Sequence, residues 1–148
     1  MPVNAIPLLR ILLQRAEAER DGALGAMRQA EALVQHALAQ ARQLLDYRGE
    51  YDQRWLARFQ DTGTTELLHC HRGFGERLDH AIAVQDNNAS QLDRRMQRAR
   101  EVLLAREQRV AALRKLIARR EAEVRKLADR RDQRDTDEAA QRRAALSP

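Results

Sequence analysis

The sequence predicts an all-α fold, a long two-helix antiparallel coiled coil that forms an α-hairpin with its turn near residues 61–65. Three observations predict it. The composition is 33% charged and only 3% aromatic, against about 25% charged residues in average chains, which leaves too little apolar bulk for a broad core. The abundant residues are Ala, Leu, Arg, Gln and Glu, all good helix formers, and the three prolines stand at positions 2, 7 and 148, outside the long middle of the chain. Apolar residues also recur at alternating steps of four and three, the spacing of a coiled-coil seam. Few β-branched residues and almost no turn pairs leave a sheet without support.

The first helix is expected over about residues 5–60. Asn4 suits its N-cap, and Pro7 is tolerated in the first turn. Its stripe runs Leu9, Leu13, Ala16, Arg20, Ala23, Met27, Ala30, Val34, Ala37, Ala41 and Leu44. The small residues let two helices approach closely, at the cost of less buried area per layer. The turn follows in "QDTGTTE", Gln60 to Glu66. There Gly63 is expected to take the positive φ that ends a helix, and Thr64 or Thr65 to cap the next one.

The second helix is expected over about residues 66–140, with a frayed tail at 141–148. Glycines in "HRGFGER" suggest an irregular beginning, and "QDNNAS" (Gln85 to Ser90) is a further weak stretch. From Leu78 the steps give Leu78, Ile82, Gln85, Ala89, Leu92, Met96, Ala99, Leu103, Arg106, Val110, Leu113, Ile117, Arg120, Val124, Leu127 and Arg131, twelve of the sixteen apolar. Arg106 and Arg120 are able to lay their stems along the seam with the guanidinium groups in water. A short link between long amphipathic helices favours antiparallel neighbours, so residues 1–148 read as a single rod. At about 1.5 Å per residue the helices are about 80 and 110 Å long. Folding about Gly63 sets residue 5 near 121 and leaves the end of the second helix projecting as a basic tip.

Charge is unevenly placed. The net +5 resolves into +1 over residues 1–60, −3 over 61–90 and +7 over 91–148, where seventeen Lys and Arg face ten acids. No secretory leader is expected, because the start lacks a basic segment and a small-residue cleavage site. The apolar run from Ala5 to Leu13 is interrupted by Pro7 and Arg10 and falls far short of the roughly 20 residues of a membrane span. The single Cys70 excludes an internal disulfide and fits a reducing cytoplasm. His69, Cys70 and His71 are consecutive and point about 100° apart on a helix; with only His80 nearby, no zinc spacing arises. "GFGER" has no preceding strand and no following Lys-Ser or Lys-Thr, so it is no phosphate loop. Nothing pairs a nucleophile with a base. No catalytic residue, metal or cofactor is expected.

All five aromatic residues fall at Tyr47, Tyr51, Trp55, Phe59 and Phe74. Steps of four drift by about 40° each around a helix, so this stripe winds off the seam. Two readings stand. Trp55 and Phe59 thicken the core near the turn against Leu67, Leu68, Phe74 and Leu78, or the rings serve an interface. Tyr47 and Tyr51 sit among charges as half-buried anchors with little entropy to lose.

The stretch Leu44-Leu45-Asp46-Tyr47-Arg48-Gly49-Glu50-Tyr51 resembles the Leu-x-x-Tyr-x-x-x-Tyr signature of the FliJ family, small coiled-coil proteins of the bacterial flagellar export apparatus. "GFGERLDHAIAVQ" is similar to the family's Phe-x-x-x-Leu-x-x-Ala-Ile segment, and "DRRDQRDTDEAAQRR" to its basic C-terminal helix. The resemblance covers nearly the whole chain. It implies a stalk that enters the central hole of the hexameric export ATPase and promotes its activity, as the γ subunit does in rotary ATPases. It also implies contact with the transmembrane export gate protein and with export chaperones, in the cytoplasm, peripheral to the inner membrane at the flagellar base. The family's gate-binding patch maps onto Gln40, Leu44, Tyr47, Tyr51, Phe74, Leu78 and Ala81; Gln85 departs from the residue usual at the end of the second face. The ATPase contact is expected at the basic tip: Arg119, Arg120, Arg125, Lys126, Arg130, Arg131 and Arg134. Neither nucleic acid nor membrane insertion is expected. The alternatives are the equivalent stalk of a virulence-type secretion system, which the paired tyrosines disfavour, and a basic nucleic-acid-binding or structural coiled coil. Phosphate contacts in the nucleic-acid case would fall away steeply with salt.

Overall fold

The computed structural model describes residues 5–147, apart from the side chain of Thr62. The fold is all-α, a helical hairpin of α1 (Ala5–Thr62) and α2 (Thr65–Leu146). Asn4, expected to cap α1, lies outside the described residues.

The break between the helices is confined to Gly63 and Thr64. Thr64 is the N-cap of α2: its Oγ1 accepts the Leu67 N–H at 3.3 Å, and its carbonyl accepts the Leu68 N–H at 3.1 Å. Glu66 places a negative charge in the first turn, where the helix dipole favours it. Gly63 does not have the expected positive φ; among the described residues no glycine does. The reason for glycine there is space. A Cβ would stand 3.0 Å from both the Phe59 carbonyl oxygen and the edge of its ring.

Both stretches expected to weaken α2 are regular helix, the "HRGFGER" glycines and "QDNNAS" alike. The helix also continues to Leu146 instead of fraying from 141. The run "EAAQRRAAL" is made of good helix formers, and Arg143 in the last turn suits the dipole.

The chain divides into two compact units. One holds Ala23–Leu103; the other holds the described residues up to Gly22 together with those from Leu104. In the Ala23–Leu103 unit the seam positions from Ala23 to Leu44 and from Leu78 to Leu103 are all buried or half-buried. Val34, Ala37 and Ala41 meet a core that includes Leu78, Ala89, Met96 and Leu103. Ala89, Met96 and Leu103 are seven residues apart, and Leu78 lies eleven before Ala89, all on the four-and-three seam.

In the second unit Ala16, Val110 and Ile117 are buried, and Leu9, Leu13, Arg20, Arg106, Leu113 and Arg120 are half-buried. Arg10 reaches Glu121 at 2.8 Å, Glu17 reaches Arg114 at 3.3 Å, and Glu19 accepts from Arg106 at 3.0 Å. Three expected seam positions are not buried: Val124 is 36% and Leu127 58% exposed, and Arg131 is exposed. Among the described residues α1 begins only at Ala5, and Ile6 and Arg10 already lie beside Glu121 and Val124. Among the described residues, none of α1 covers the following turns.

Candidate functional site

The aromatic residues of α1 gather against the first turns of α2 within the Ala23–Leu103 unit. Tyr51 packs on Phe74 with ring centroids 4.7 Å apart and planes tilted by 56°. The imidazole of His71 stacks on Trp55 at 4.2 Å and 10° and on Tyr51 at 5.0 Å and 15°. Phe59 extends the row, 5.6 Å from Trp55. Offset rings at such separations add to simple area burial. Tyr51, Trp55 and Phe74 are half-buried, whereas Tyr47 is 45% and Phe59 42% exposed, so Trp55 thickens the packing near the turn as expected of a core ring and Phe59 does not.

Charged groups frame these rings. Arg48 donates to Asp52 at 3.0 Å and across to Asp79 at 3.2 Å. Gly75, which is buried, makes this crossing possible: a Cβ there would stand 2.7 Å from the Arg48 guanidinium. Asp52 also lies 3.9 Å from His71 Nε2, while His71 Nδ1 is enclosed without a hydrogen-bond partner.

The seven patch residues divide by depth. Leu78 is buried; Leu44, Tyr51, Phe74 and Ala81 are half-buried; Gln40 and Tyr47 are exposed. Gln40, Leu44 and Tyr47 line a shallow groove with Gln43 and Gln85. Gln85 Nε2 donates to Gln40 Oε1 at 3.0 Å and to the Ala37 carbonyl at 3.3 Å, so this glutamine ties α2 to α1 beside the groove. The sequence reading missed His71, Arg48 and Asp79 as partners of the rings. Antiparallel counting from Gly63, which sets residue 55 opposite 71, is the signal that finds the histidine.

The basic residues of the tip lie in the other unit. Arg119, Arg125, Lys126, Arg130, Arg131 and Arg134 are exposed; Arg120 is half-buried and donates to Glu123 at 3.3 Å. Every described residue from Glu123 onward is exposed. Among the described residues no group of His, Cys, Asp or Glu side chains is placed to hold a metal, and no helix is long and apolar enough to cross a membrane.

The model of the family described as Flagellar FliJ protein matches residues 7–148. The chain belongs to the FliJ family. No match is found among the curated proteins or among the solved structures. FliJ membership supports a role for the chain in flagellar type III protein export, as a stalk component. In this FliJ chain Leu44, Tyr47 and Tyr51 share one side of α1; Leu44 and Tyr51 are half-buried and Tyr47 is exposed.

Proposed function

We propose that this chain is the stalk of the hexameric flagellar export ATPase and that the paired ends of α1 and α2 enter the ring. The observation that carries the reading is the bare stretch of α2 beyond Glu123, exposed throughout and rich in arginine. An uncovered helix is about 10–12 Å across, thin enough for a narrow central hole. Arg119, Arg120, Arg125, Lys126, Arg130, Arg131 and Arg134 supply contacts that are mostly polar, which favours rapid association over one rigid pose. Binding only the assembled hexamer then promotes ring closure and turnover by mass action.

The patch beside the turn serves the transmembrane export gate protein. Tyr47 offers an exposed ring, and Tyr51 and Phe74 brace each other at 4.7 Å, the arrangement of a preorganised anchor. Export chaperones meet the same protein, which works in the cytoplasm, peripheral to the inner membrane at the flagellar base.

ATP hydrolysis by the export ATPase, measured with three forms of this chain, tests the assignment. Wild type should stimulate, a truncation ending at Ala118 should not, and Tyr47→Ala with Phe74→Ala should stimulate normally. The double variant should instead weaken gate binding by about 2 kcal/mol or more with unchanged helicity. Stimulation that survives truncation and is lost in the double variant would place the ATPase at the aromatic patch.

A further inference from the structure

An open groove of about 780 Å³ lies beside the rings, between α1 and the first turns of α2, and neither Phe74 nor Leu78 lines it. Its floor is aromatic and apolar, formed by Tyr51, Trp55, Phe59, Leu67 and His71. Arg54 and Arg58, one helical turn apart on α1, also line it, and Asp61 is the only acid among the described residues that does. Of the seven gate-patch positions only Tyr47 and Tyr51 reach this groove, so it is a second surface.

Its shape selects the kind of occupant. The lining residues of α1 advance in steps of about four, along one side of a helix. Two antiparallel helices with such a furrow between them accept a third helix, ridges into grooves. A helix laid there meets rings along its apolar face and guanidinium groups along its edge, the arrangement of helix-in-groove recognition. Charge selects the rest. A basic helix would meet like charge at Arg54 and Arg58, whereas Glu or Asp flanking the apolar face adds opposite charge beside them. The bound helix also shields the exposed edges of Phe59 and Leu67, at 42% and 43% exposure.

We propose that this groove docks an acidic amphipathic helix of a partner protein, completing a three-helix end with its apolar face on Trp55, Phe59 and His71 and its acids on Arg54 and Arg58. Because Tyr47 and Tyr51 belong to both surfaces, such a helix competes with any ligand of the gate patch.

Trp55 is the only tryptophan in the chain and reports on its own groove. The probe is a synthetic helical peptide of about 20 residues, about 30 Å long, with leucines on one face and glutamates along both edges. A second peptide carries lysine in place of every glutamate. Added to the full-length protein, the acidic peptide should shift Trp55 emission to the blue in a saturable way, and the lysine peptide should not. Arg54→Glu should weaken binding by about tenfold or more, with circular dichroism unchanged. Trp55→Phe, read by calorimetry, should retain binding because a ring remains. Equal binding of both peptides would overturn the proposal, as would no saturable shift. A blue shift produced by raising the protein concentration alone would assign the groove to a second copy of this chain, and a shift given only by a single-stranded oligonucleotide would assign it to nucleic acid; either result overturns it as well.

Discussion

Around residues 47–75 rings dominate the contact between the two helices, whereas between residues 10–19 and 106–121 ion pairs flank the apolar seam. Tyr51, Trp55, His71 and Phe74 form a continuous stack in the first region. In the second, Glu19 alone gathers Arg106 at 3.0 Å, Arg15 at 3.6 Å and Arg109 at 3.9 Å. The difference lies in what each contact does for its surroundings. Stacked rings bury apolar area and keep their geometry in any salt. Exposed ion pairs contribute about 0–1 kcal/mol each and are screened, but they penalise a slipped register, where like charges would meet. The ring-packed region thus carries a firm apolar surface, and the ion-paired region fixes alignment while remaining polar.

The largest expected effect tests what the two regions share. Val110→Asp in one unit and Met96→Asp in the other each place an uncompensated charge in a seam position exposed by only 3% and 7%. Each should cost about 3 kcal/mol or more, read from the midpoint of urea unfolding followed by circular dichroism. A loss below about 1 kcal/mol, typical of surface changes, at either site would mean that the seam is not the common core.

A smaller effect separates the regions. Glu19→Gln should cost about 1 kcal/mol in dilute buffer and almost nothing near 1 M salt, where the screening length is about 3 Å. Trp55→Leu should cost the same at both salt levels. Equal salt dependence of the two variants would erase the distinction. The smallest effect lies at the turn: Thr64→Ala removes a cap whose bond is 3.3 Å long and should cost about 0.5 kcal/mol, the low end of the range. Faster amide exchange at Leu67 would register it; unchanged exchange would mean that the cap contributes nothing.

Much of this was legible in the residues. Steps of four and three locate the seam because burial in a two-helix fold depends almost wholly on angular position, and Leu78, Met96, Leu103, Val110 and Ile117 follow it. The rule fails at Val124 and Leu127 because periodicity describes one helix alone; counting back from Gly63, which sets residue 5 near 121, is what marks the end of the cover. Gly63 was legible as the turn but for a different reason: space beside Phe59, not a left-handed backbone. The aromatic cluster was legible as a cluster. Its histidine was not, since His71 looks like part of a "HCH" triplet along the chain and acquires its role only from Trp55 and Tyr51 across the helix pair. Gly75 was legible only as a suspected irregularity, because its function is to admit the Arg48 guanidinium.

The exposed run of α2 from Glu123 to Leu146 also has a kinetic meaning. Starting a helix is the unfavourable step, with a nucleation constant of about 10⁻³, while each added residue is nearly neutral. Here the packed turns before Glu121 act as a permanent seed, so the bare segment lengthens or melts one residue at a time and never renucleates. Over about 36 Å its reach is graded by temperature and by whatever holds its side chains. A partner that grips the segment at any depth therefore forgoes little free energy in ordering it, and the same helix suits binding sites set at different distances.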